Sequence, residues 1–150
     1  MSNKMTEERA QELMGAGFHC SQVLACHIAE VLDLDKDMWL RITSALGGGC
    51  NHGDTCGAIS GAMLGLGAVY GFSNENPGEV DTFIKEKSRE LQARFIEKHG
   101  SVLCRDLLNG YDNADPNRES KPDTWDKCGL YCADAAEILD SIIEKYSEIV

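Results

Sequence analysis

Seven cysteines stand at positions 20, 26, 50, 56, 104, 128 and 132, and their types and spacing frame the chemistry open to this chain. The thiolate, not the thiol, attacks disulfides and binds metals, so reactivity depends on what lowers a cysteine's pKa. An odd count excludes complete pairing within one chain. No two cysteines are separated by just two residues, so any reactive pair has to be assembled by the fold. Four thiolates would also satisfy tetrahedral zinc or an iron–sulfur cluster. Cys20, Cys56, Cys104 and Cys128 are 36, 48 and 24 positions apart, however, whereas structural zinc sites usually use close pairs. Cys128 and Cys132, one turn apart, are the near pair on a helix. His19, His27 and His52 are candidate further ligands, although each taken singly fits a surface or packed histidine better.

The elements that must position these sulfurs are helical. Apolar residues recur at helical period, and no stretch alternates as a strand does. A short first helix is expected over Thr6–Met14, stopped by Gly15 to Gly17. A second runs from near Cys20 to about Leu32, with Val23, Leu24, His27, Ile28 and Val31 on one face. A third follows Asp35, directs Trp39, Ile42 and Leu46 inward and ends at the glycine triplet. A fourth follows Cys56. After a turn at Asn74 to Gly78, with Pro77 at a first helical position, a fifth carries Val80, Ile84, Leu91 and Phe95 inward and closes at Gly100. A short helix capped by Ser101 and a last one from about Cys128 to Ser147 complete the chain. The last helix uses Tyr131, Ala135, Ile138, Leu139, Ile142 and Tyr146 as its apolar face. The expected fold is all-α: a compact single-domain bundle over residues 1–150 of about five to seven helices, with irregular loops near 47–55 and 111–126.

In this layout Cys20, Cys56, Cys104 and Cys128 each begin a helix. Helix starts present unpaired N–H groups and the positive end of the macrodipole, both of which favour thiolate. At about 100° per residue, Cys20 falls on the inward stripe of its helix and Cys128 on that of the last. Cys26 falls on the side of Gln22 and Glu30, and Cys132 lies at a flank. Four sulfurs at helix starts are thus expected to converge, while Cys26, Cys50 and Cys132 are secondary. Free cysteine often only fills space, so each one taken alone is explained better by packing than by chemistry. Cys50, six residues before Cys56, is near enough to form a regulatory disulfide.

The stretch Gly47–Gly71 holds nine of the fifteen glycines. Gly48, Gly53 and Thr55 approach a phosphate-loop spacing, but Asp54 stands where that loop needs a lysine, and no strand precedes it. Gly57, Gly61 and Gly65, with Ala58 and Ala62 beside them, make a ridge of small residues that lets a neighbouring helix come close. The motif CGAISGAMLGLG at Cys56–Gly67 accompanies three others: FHCSQVL at Phe18–Leu24, HGSVLCRDLL at His99–Leu108 and KCGLYCADAAEIL near the end. Together they resemble the redox-active C_GCAxxG_C_C (CGAxxGA) family over about Phe18 to Leu139. The resemblance maps the family's four cysteines onto Cys20, Cys56, Cys104 and Cys128, and its central motif onto Cys56, Gly57, Ala58 and Gly61. Thr55 precedes Cys56 where the family name writes GC. The resemblance implies a small helical protein with thiol redox activity, and no substrate.

The leading expectation is a thiol–disulfide oxidoreductase or electron-transfer protein. Cys56 attacks as thiolate, Cys20 or Cys104 resolves, and no cofactor is required. The expected partner is a redox protein or a small thiol. The runner-up is a zinc or iron–sulfur site on Cys20, Cys56, Cys104 and Cys128; a third reading is a non-catalytic helical interaction module. Asp54 is a candidate to orient His52 or accept a proton, and Arg105 to stabilise the neighbouring thiolate. Fourteen basic against twenty-five acidic side chains give a charge of −11, which argues against a nucleic-acid or anionic-lipid surface. The first fifteen residues lack the apolar core of a signal peptide. The run Cys56–Phe72 is short for a bilayer span. A reducing cytoplasm is therefore expected, and a homo-oligomer is left open.

Overall fold

The computed structural model describes residues 4–73, 77–110, 115–117 and 127–146. Among these, seven α-helices follow one another: α1 Glu7–Gly15, α2 Cys20–Leu32, α3 Lys36–Ile42, α4 Gly57–Tyr70, α5 Pro77–His99, α6 Cys104–Leu107 and α7 Cys128–Tyr146. A π turn occupies Gly49–Gly53. No strand occurs among the described residues, so the chain is all-α as its periodicity predicts.

Local chemistry sets the boundaries. Thr6 caps α1, its Oγ1 accepting from the Arg9 amide at 3.1 Å, and Glu7 and Glu8 favour the positive end of the first turn. Asp35 caps α3 in the same way through the Met38 amide. At the start of α2 the His19 amide donates to Gln22 Oε1 at 2.9 Å. The same Gln22 side chain donates to the Leu40 carbonyl. Ser21 donates to the buried Thr43 carbonyl at 2.7 Å. The first turn of α2 is therefore fastened to the end of α3.

α4 lies at the centre and packs on α2, α5 and α7. Leu24, Ile28, Ile59, Leu66, Leu91 and Phe95 are fully buried, with Leu139 and Ile142 of α7. Each such side chain contributes about 1.5–3 kcal/mol relative to exposure. One polar pair crosses this core: His27 Nε2 sits 2.8 and 2.9 Å from the two oxygens of Asp140. It joins α2 to α7 and satisfies a ring that is 1% exposed.

Several expectations need correction. α3 stops at Ile42, a turn before the glycine triplet, so Ile42 faces solvent at 53% exposure. Leu103 occupies the cap position of α6. Ser101 sits two residues before it, its Oγ accepting from the Leu103 amide and donating to Asp106. Of the turn before α5, residues 74–76 lie outside the described residues, and Pro77 opens the helix as its ring favours. Most of the loop expected over 111–126 also lies outside them, as do Ser147 and the side chain of Tyr146. No helix among the described residues is long and apolar enough to cross a membrane.

Candidate functional site

The glycine ridge of α4 brings the first sulfur into place. A Cβ added at Gly61 would lie 2.8 Å from Leu24 Cβ and 3.1 Å from the Ser21 carbonyl oxygen. At Gly65 it would lie 2.8 Å from Leu139 Cδ2 and 2.9 Å from Ile28 Cδ1. At Gly57 it would run into Cys20 Sγ itself. Absent side chains on α4 thus provide the space that α2 fills, and at the first turn the filling atom is sulfur.

A two-residue bridge places the next pair. Thr55 and Leu103 pair antiparallel, the Cys56 amide donates to the Val102 carbonyl at 2.7 Å, and the Cys104 amide donates to the Asp54 carbonyl at 2.7 Å. Each bridged residue immediately precedes a cysteine, so α4 and α6 begin side by side. Upstream, the backbone of Gly48, Gly49, Cys50 and Asn51 turns left-handed, with φ of 63°, 64°, 60° and 55°. Glycine adopts this freely, whereas Cys50 and Asn51 pay roughly 1–2 kcal/mol each. Bonds from the Cys50 amide to the Leu46 carbonyl and from the Asp54 amide to the Gly49 carbonyl hold the turn. It leaves Cys50 exposed. A Cβ at Gly49 would come within 2.9 Å of Cys104 Cβ.

These elements close around a cavity of about 140 Å³ onto which Cys20, Cys56, Cys104 and Cys128 all open. Met14, Leu107, Leu108 and Tyr131 supply most of the remaining wall, with His19 and Gly48 beside them. The Tyr131 hydroxyl donates to the Leu107 carbonyl at 3.2 Å. Behind it the His99 ring packs edge-on, 4.9 Å between centroids, and His99 Nε2 meets Asp134 Oδ2 at 2.7 Å.

Within the cavity Cys20 and Cys56 differ in acidity. The Cys56 side chain hydrogen-bonds that of Cys20 and, with backbone amides of Gly48, Ser21 and Gly57, brings Cys20 from 9.0 down to about 7 against the cost of burial. Two of those amides belong to the first turns of α2 and α4, where N–H groups lack intrahelical partners. Cys56 is held well above the ordinary thiol value, because it donates to Cys20, is buried, and faces that sulfur's charge. Of the two, Cys20 is the sulfur brought down and Cys56 the one held up, while the expectation from sequence has Cys56 attack. Cys132 is fully buried, and burial with the neighbouring Cys20 and Cys128 pushes its thiol well up. Tyr131 is raised chiefly by burial and then by Cys128, Cys56 and Cys104.

All four sulfurs chosen from helix position thus line one cavity. The Gly57 amide reaches Cys20 and the Ala58 amide reaches Cys56; Gly61 packs under Leu24. Cys26, placed by angle on a polar side, is in fact buried. It lies near Arg9, Glu30 and Lys36, and Arg9 binds Glu30 through two bonds at 2.9 and 2.6 Å. Cys132 hydrogen-bonds the Cys20 carbonyl. Of the candidate ligands, His27 is taken by Asp140, and His52 Nδ1 lies 3.5 Å from Asp54. Arg105 pairs with Asp54 at 3.3 Å. Among the described residues no three His, Cys, Asp or Glu side chains are arranged to hold a metal ion. Gly48, Met14, Leu107 and Leu108 were not foreseen; the glycine triplet marks a loop without revealing which amide meets a thiolate.

Residues 18–142 match the family described as "Putative redox-active protein (C_GCAxxG_C_C)". No curated protein and no solved structure matches the chain. A match over so much of the chain settles the family.

Proposed function

The chain belongs to the redox-active C_GCAxxG_C_C family, and from that premise we propose that it performs thiol–disulfide exchange through Cys20 and Cys56. The observation that carries this reading is geometric: Cys20 and Cys56 open onto one cavity, and Cys20 Sγ lies against Gly57, the residue after Cys56. The Cys56 side chain, hydrogen-bonded to Cys20, helps bring it down to about 7. The Cys20 thiolate attacks one sulfur of an oxidised partner, and the partner's disulfide breaks. One partner thiolate leaves and takes up a proton, while the other sulfur stays bonded to Cys20. Cys56 then gives up its proton and attacks Cys20 Sγ. The Cys20–Cys56 disulfide forms as the second partner thiolate departs and is protonated. Two protein thiols are oxidised and one disulfide is reduced, with electrons balanced. A thiol near 7 is well poised as attacker, since rate depends on both thiolate fraction and nucleophilicity. Cys104 and Cys128, open to the same cavity, are further thiols for exchange.

Trapping tests this. The Cys56→Ser variant retains the attacker and lacks the resolving sulfur, so a labelled disulfide should leave a stable adduct on Cys20 by peptide mass spectrometry. Label found first on another cysteine, or none on Cys20, would overturn the assignment.

A further inference from the structure

The size and lining of the thiol cavity constrain what can reach Cys20. Its volume, about 140 Å³, is close to that of an apolar protein cavity that takes up benzene. The wall contains no Asp, Glu, Lys or Arg, and the exposed His19 at its edge is the one basic side chain, so an anionic ligand finds no permanently charged cation there. The Tyr131 hydroxyl already donates to the Leu107 carbonyl. The Gly48 amide is directed at the Cys20 sulfur. Little is left to satisfy the amides and carboxylates of a peptide, and a buried polar group without a partner costs on the order of 1–3 kcal/mol.

We infer that the cavity is a binding site for a small, uncharged, apolar disulfide, of dialkyl type, in preference to glutathione disulfide or a protein cystine. This rests on the disulfide-exchange reading above and names its substrate class. The alkyl groups lie against Met14, Leu107 and Leu108, which excludes water around the reacting sulfurs. With diethyl disulfide, Cys20 bonds one sulfur and expels ethanethiolate. Cys56 then displaces the second ethanethiolate from Cys20, and two molecules of ethanethiol result from one disulfide.

The reduced full chain is exposed separately to diethyl disulfide, glutathione disulfide and a short cystine-bridged peptide. Formation of the Cys20–Cys56 bond is followed by alkylation and mass spectrometry. Each rate is divided by that of the same disulfide with free 2-mercaptoethanol, which removes differences in leaving-group chemistry. Diethyl disulfide should exceed the other two at least tenfold on this scale, and benzene should slow it by competition. Leu108→Phe, which fills the cavity, should slow diethyl disulfide several-fold while Cys20 alkylation by a small reagent still titrates near pH 7. Equal or faster normalised rates with glutathione disulfide or the peptide, or no effect of benzene, would overturn the substrate class and leave the exchange reading intact. Failure of diamide, a general thiol oxidant, to join Cys20 and Cys56 would overturn both.

Discussion

The first turn of α2 and its middle each carry a cysteine, six residues apart on one helix, and the two behave oppositely. At Cys20 the sulfur receives a hydrogen bond from Cys56 and three backbone amides, and its pKa falls to about 7. At Cys26 burial dominates and pushes the thiol up, although Lys36 and Arg9 pull against it. The difference lies first in the Cys56 side chain that donates to Cys20 and then in where amides are free. A helix start has N–H groups to give, and α4 brings a second helix start against the first; a helix interior has spent its amides on carbonyls. Burial alone raises a thiol, as at Cys26; at Cys20 a donor thiol and helix-start amides together outweigh it. Cys132, inside α7 and raised well above the ordinary value, falls with Cys26.

Removing the attacking sulfur should produce the largest effect. In Cys20→Ser, alkylation at pH 7 should drop by more than tenfold, because a thiol with an ordinary pKa holds only a few per cent thiolate there. Cys26→Ser should leave the rate unchanged. Stopped alkylation with peptide counting distinguishes the two, and equal losses would erase the contrast.

The glycine ridge gives the next test. Gly57→Ala sets a methyl against Cys20 Sγ and 3.0 Å from the Ser21 amide. It should cost about 1–3 kcal/mol in urea unfolding and disturb the Cys20 titration. Gly65→Ala meets the ends of the Leu139 and Ile28 side chains, which can shift, so it should cost less and leave the titration near 7. A Gly65→Ala variant that altered Cys20 as much as Gly57→Ala would break the comparison.

How much of this the sequence reveals follows from the range of the forces involved. The limits of α2 and the four helix starts at Cys20, Cys56, Cys104 and Cys128 are set by local periodicity and caps, and both are legible. So is the close approach at Gly57, Gly61 and Gly65. The setting of Cys26 is not, because Arg9 on α1 reaches across to Glu30 and both act on its charge. The Thr55–Leu103 bridge is a single pair, too short for strand alternation to betray it. The left-handed turn runs through Cys50 and Asn51, residues that do not announce positive φ as glycine does. The division of charge between Cys20 and Cys56 depends on which amides from other segments point at which sulfur, and that is tertiary geometry.

Stability should respond to pH through the same pair. The unfolded chain keeps the Cys20 proton to about pH 9, and the folded chain releases it near 7. Under reducing conditions the folded state should therefore gain on the order of 1–2 kcal/mol as pH rises from about 7 to 9. That gain is lost as pH falls back through 7. Above 9 the raised Cys56 acts in the opposite sense. Urea midpoints across this range measure the effect, and Cys20→Ser should flatten the rise.

The smallest effect is expected in the setting of Cys26. Arg9→Ala removes the pair that holds Glu30 down to about 2, a partly exposed contact worth about 0.5–1 kcal/mol. Cys26 should alkylate faster at pH 8.5 and Cys20 at its former rate. A change at Cys20 instead would mean that the two ends of the helix are not independent.

Peptide mapping of the disulfide formed first tests the central claim most directly. Reduced protein is treated with slightly less than one equivalent of diamide, quenched with acid and a rapid alkylating reagent, and digested. The account predicts that the peptides carrying Cys20 and Cys56 are joined before any other pair. A first bridge that leaves both of these sulfurs free, while other cysteines pair, would contradict it.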